Sequence, residues 1–76
     1  MMVSLVMVRQ GERARVLRIS AGRGLVRRLT EMGLLPGAEI EIISGRQPGP
    51  IIIRLQGLRF GLGFGLAKRI FVEPLR

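Results

Sequence analysis

Eleven glycines and four prolines divide this chain of 76 residues into short segments. That punctuation leaves room for short strands and one modest helix. Gly11 ends a first apolar segment, Met1–Val8. Arg13–Ile19 alternates, but its phase slips between Val16 and Ile19, which predicts a bulge or sharp bend. Ser20-Ala21-Gly22-Arg23-Gly24 reads as a loop. Beyond it Leu25, Leu29 and Met32 recur at i, i+4 and i+7, the face of an amphipathic helix, and Val26 widens the stripe. Arg27, Arg28 and Glu31 take the other side. Gly33 suits the left-handed position that ends a helix, and a Schellman cap would set Leu34 on Leu29. Leu35-Pro36-Gly37-Ala38 fits a type II turn.

The rest of the chain follows the two-residue period of strands. Ala38, Ile40 and Ile42 share one face, while Glu39 and Glu41 share the other. Gly45–Gly49 is a hairpin loop, and Pro50 opens a strand where its missing N–H does no harm. Ile51–Leu55 is dense in β-branched residues, a strand signal. Gly57 marks a tight turn, after which Leu58, Phe60 and Leu62 alternate, with Phe60 expected in the core. Gly63–Lys68 allows one helical turn. Ile70–Glu73 forms a last strand that Pro74 should end. The expected fold is mostly β. It is a small SH3-like barrel of five or six short strands, with one inserted α-helix and a short helical turn before the last strand. Barrel closure would leave no strand edges exposed. Residues 1–76 are expected to form a single domain.

Composition narrows function. Cysteine and histidine are absent, which removes disulfides and the usual donors to zinc, copper or iron. Five glutamates are the whole acidic complement, so no metal site and no cofactor are expected. Without histidine the few hydroxyls have no base, and Lys68 beside Arg69 implies no pocket, so an enzyme is not expected. Gly22-Arg23-Gly24 lacks the third glycine of a dinucleotide fingerprint, and no Walker Lys-Ser pair occurs. Gly61, Gly63 and Gly65 read as a bend at a barrel corner. The Met1–Val8 segment is too short for a secretory signal or a membrane span and reads as a first strand, while the lack of cysteine points to a reducing, cytoplasmic setting.

The net charge of +8 comes almost entirely from arginine, Lys68 being the one lysine. Arginine clasps carboxylate and phosphate with two parallel hydrogen bonds. An acidic protein face, an anionic membrane surface or nucleic acid would each complement it. Nucleic acid is the alternative as RNA or the ribosome, but stacking aromatics are thin: Phe60, Phe64 and Phe71. Phe71 is out of phase with Ile70 and Val72, so it should face outward as a docking point. Self-association through Phe71 across a strand edge is a further option. The candidate partner contacts are Arg23, Arg27 and Arg28 on the helix, Arg46 at the hairpin tip, and Phe71.

The run Arg28-Leu29-Thr30-Glu31-Met32-Gly33-Leu34-Leu35-Pro36-Gly37 resembles the FeoA family, small proteins that assist ferrous-iron uptake in bacteria. The string R-L-x-x-M-G-L-x-P-G is present in full. Gly22–Leu25, Pro50–Arg54 with Gly57, and Ala67–Pro74 are similar to the family as well, so the likeness spans residues 11 to 74. Gly61–Gly65 departs from it by being richer in glycine. The resemblance implies an SH3-like fold. It also implies a cytoplasmic protein that acts with the membrane transporter FeoB, whose cytoplasmic part binds GTP. A similar domain ends the metal-dependent repressors of the diphtheria-toxin-repressor type, but no helix-turn-helix precedes it here.

Overall fold

The computed structural model describes residues 1–45 and 49–75. Arg46, at the tip of the expected hairpin loop, lies outside the described residues. The elements run β1 (Val3–Ser4), a 3-10 turn (Leu5–Met7), β2 (Arg13–Ile19), α1 (Arg23–Glu31), β3 (Glu39–Gly45), β4 (Ile51–Leu55), β5 (Leu58–Leu62), α2 (Phe64–Ala67) and β6 (Ile70–Leu75). The six strands form one antiparallel sheet in the order β1-β6-β2-β3-β4-β5. This is the expected small SH3-like fold, with the helix inserted between β2 and β3 and the helical turn before β6. Closure by hydrogen bonds does not occur: β1 and β5 end the sheet. The sheet is rolled rather than sealed, and two bulges supply curvature. One makes Leu17 the extra residue between the pairs Val16↔Val72 and Arg18↔Phe71, where the sequence period slips. The other falls at Ile43, between Ile42↔Ile53 and Ser44↔Ile52.

One hydrophobic core fills the roll. Ala14, Val16, Ile40, Ile42, Ile51, Ile53, Leu55, Leu62, Ile70 and Val72 are buried on five strands, and Leu5 of the 3-10 turn, Leu29 of α1, Leu34 just after it and Ala67 of α2 join them in one cluster. Each fully buried Leu, Ile or Val contributes about 1.5–3 kcal/mol relative to leaving it exposed. No polar side chain is buried among the described residues.

Helix α1 ends as its sequence dictates. Gly33 has φ +94°, and its N–H donates to the Thr30 carbonyl while Leu34 N–H donates to the Leu29 carbonyl. These are the two bonds of a Schellman cap, and both Leu29 and Leu34 enter the core. Ala38 N–H then closes the type II turn on the Leu35 carbonyl at 3.0 Å. The β4–β5 hairpin turns on Gln56 and Gly57, both at positive φ, as a two-residue connection requires.

Several local expectations change. Arg23 and Gly24 belong to the first turn of α1 rather than to a loop. Of the helical stripe only Leu29 is buried; Leu25 and Met32 stay more than a third exposed. Leu58 is largely exposed, and Phe60 is half-buried against the core rather than within it. The first apolar segment gives only two strand residues before the 3-10 turn. Ser4 anchors that turn, its Oγ donating to the Lys68 carbonyl at 3.0 Å. None of Gly61, Gly63 and Gly65 takes positive φ. Gly61 instead makes room for Ile52 across the ladder, because a Cβ there would lie 3.3 Å from Ile52 Cδ1. Pro74 does not end β6, which continues to Leu75. Val16 bonds toward β3, through Ala38 and Gly37. By the two-residue period Ala14 does too, so Ala14↔Pro74 is a non-hydrogen-bonded pair. The absent N–H of Pro74 therefore faces beyond the end of β1, whose pairing reaches only Val72.

Candidate functional site

The strand period sends every second side chain of the sheet outward, and on β6, β2, β3 and β4 several of those residues are charged. Arg13 Nη2 lies 3.0 Å from Glu39 Oε1. Arg15 bridges two carboxylates at 3.4 Å each, Glu39 on β3 and Glu73 on β6. Arg54 on β4 meets Glu41 on β3 at 3.0 Å. Three arginines and three glutamates thus cancel along this face. The entire net charge of +8 resides elsewhere in the chain.

A large share of it resides on and beside the helices. Arg23, Arg27 and Arg28 project from α1, all exposed, and none forms an ion pair among the described residues. Glu31 is the one carboxylate of α1 and makes no salt bridge among the described residues. Lys68 and Arg69 follow α2; Lys68 Nζ sits 5.6 Å from the Phe64 ring centroid, a cation–π distance. Between the two helices an open groove of about 220 Å³ is lined by Leu25, Gly65, Leu66 and Arg69. The composition of the helix stripe hints at it, since Leu25 is apolar yet uncovered. The role of Arg69 has no local sequence signal, because only the fold carries it across to Leu25.

The structure brings together three of the expected contact residues, Arg23, Arg27 and Arg28. It separates Phe71 from them. Phe71 lies on the outer face of the sheet, half-buried, with the Arg18 guanidinium 5.5 Å from its ring centroid. β6 is an interior strand, and Phe71 is paired with Ser4 on one side and Arg18 on the other. Pairing of Phe71 across a strand edge is therefore ruled out by topology.

Other hollows offer less chemistry. Clefts of about 400 and 340 Å³ near the end of β6 include Glu12 and Glu73, but both carboxylates are occupied. Glu12 accepts from the Arg9 N–H at 2.9 Å, and Glu73 pairs with Arg15. A niche of about 30 Å³ under Phe64, Ile42 and Ile51 has room for about one water molecule. Among the described residues no three His, Cys, Asp or Glu side chains gather as a metal cluster. Among the described residues no helix is long and apolar enough to cross a membrane.

Comparison with known proteins decides the family. The FeoA domain model matches residues 3–74. The chain belongs to the FeoA family. A protein of Methanocaldococcus jannaschii named "Putative Fe(2+) transport protein A" is 39% identical over 72 residues, covering 95% of this chain and 87% of its own. The crystal structure of an iron uptake regulatory protein, also FeoA, superposes with a TM-score of 0.90 at 40% identity, over 99% of this chain and 100% of that one. A manganese-dependent transcriptional repressor contains the same fold, with a TM-score of 0.85 at 25% identity, over 97% of this chain but 42% of its own. The Leu29, Met32, Gly33, Pro36 and Gly37 string is explained largely by the helix cap and the turn that follows. It marks the FeoA fold more than a binding surface.

Proposed function

We propose that this FeoA-family chain is a non-enzymatic accessory protein of ferrous-iron transport. Acting as one domain over residues 1–76, it binds the cytoplasmic GTP-binding part of a FeoB-type transporter and modulates its assembly or activity. It works in the cytoplasm, close to the inner face of the membrane. Arg23, Arg27 and Arg28 form the core of the contact surface, with Arg46 and Phe71 as outlying contacts.

The observation that carries this is the allocation of charge. Three arginines of the sheet, Arg13, Arg15 and Arg54, are neutralised by glutamates of neighbouring strands, while the arginines of α1 have no such partner among the described residues. Unpaired, exposed guanidinium groups speed encounter with an acidic surface and orient it. Membership of the FeoA family supplies the context of Fe(2+) transport. The side chains favour an adaptor over a carrier: five glutamates are the only acidic ligands, and three of them are held by arginines.

RNA binding is favoured less. Phe60, Phe64 and Phe71 are each half-buried, and two have a cation over the ring, so no open stacking platform accompanies the arginines. The test is a pull-down with the soluble GTP-binding part of the transporter at low salt, in both nucleotide states. Retention in at least one state is expected. Absence of retention in both, with tight RNA binding that falls steeply with salt, would replace this function with the alternative.

A further inference from the structure

We propose that the groove between α1 and α2 seats an apolar side chain of an acidic partner segment, with a neighbouring carboxylate of that segment on Arg69. This deepens the proposed function and rests on it, the segment belonging to the GTP-binding part of the transporter.

Leu25 and Leu66 give the groove two apolar walls. Leu25 remains 37% exposed although it belongs to the inward stripe of α1, so the fold leaves it only partly covered. Gly65 leaves a gap between them: a Cβ built there would meet nothing within 4 Å. At about 220 Å³ the space is below the roughly 300–1,000 Å³ of small-molecule pockets, and an inserted side chain suits it better than a nucleotide. Charge fixes the sign of the occupant. Arg69 is the charged residue of the lining and makes no ion pair among the described residues. Arg28 is three residues from Leu25 and therefore its neighbour on the helix surface. The carboxylate of α1, Glu31, lies three residues beyond Arg28 and about a third of a turn round the helix from Leu25, outside the groove lining. An apolar anchor beside Arg69, with Arg28 next to it on the helix, matches an acidic segment that carries a Leu, Ile or Phe.

The test is a titration of the soluble GTP-binding part of the transporter with wild type, Arg69→Glu and Leu25→Lys, each checked for folding by thermal melting. Both positions are exposed, so native melting is expected. Arg69→Glu should weaken binding at least tenfold. Leu25→Lys adds a positive charge, which would tighten a contact made by charge alone; a seated side chain predicts that it weakens binding several-fold instead. Wild-type binding that survives both substitutions would overturn the groove and leave the partner standing. Tighter binding by Leu25→Lys would do the same. A wild type that does not bind at all would overturn both proposals.

Discussion

The outer face of the sheet and the helical pole are both rich in arginine, yet they use it in opposite ways. On the sheet, register places Arg13, Arg15 and Arg54 beside glutamates of neighbouring strands, and these charges cancel over 3.0–3.4 Å. On α1 the arginines have one carboxylate neighbour, Glu31, with which none of them pairs among the described residues, and the charge is left to the solvent. The sheet therefore spends arginine on local order, and the helix keeps it for an encounter. Neither use is visible in the net charge, which is their sum.

Several substitutions break or sharpen that contrast. The largest effect belongs to the core that both regions share. Ile53 is fully buried on β4, so Ile53→Ala should cost about 2–5 kcal/mol in urea unfolding. It should weaken partner binding only through loss of folded protein. Gly33 joins the two regions. With φ at +94°, Gly33→Ala strains the backbone by roughly 1–2 kcal/mol, while its new methyl meets Leu55 only at ordinary contact distance. A lowered melting temperature with an intact helix signal is the expected result. The ladder should matter less. Glu39 is almost half exposed, so Glu39→Gln should cost under about 1 kcal/mol, and the difference should shrink in high salt. Smallest of all, Arg18→Ala removes one cation–π contact to Phe71, about 0.5–1 kcal/mol at an exposed site.

Much of the fold is readable from the residues because it is decided locally. The Schellman cap at Gly33, the turn at Pro36-Gly37 and the bulge at Leu17 each follow from a few consecutive residues. Strand order is different. It is set by pairings between residues far apart in the chain, and so is everything that depends on it. Phe71 looks like an exposed edge residue by phase alone, but the partners of β6 place it inside the sheet. Pro74 looks like a stop until pairing with Ala14 makes its missing N–H harmless. Leu25 and Met32 fit the helical stripe, yet the fold leaves both more than a third exposed. The candidate site shows the same division. Arg27 and Arg28 are placed outward by the helical period, whereas the sorting of arginines into paired and unpaired sets needs the register of β2, β3, β4 and β6.

The contrast between the two regions can be tested at constant net charge. Calorimetric titration of the soluble GTP-binding part of the transporter would compare Arg27→Gln/Arg28→Gln with Arg13→Gln/Arg15→Gln. Both double variants remove two positive charges. The helix variant should lose at least tenfold in affinity, and the sheet variant should stay within about twofold of wild type. Equal losses would mean that only total charge matters, and a greater loss from the sheet variant would place the contact on the wrong side of the molecule.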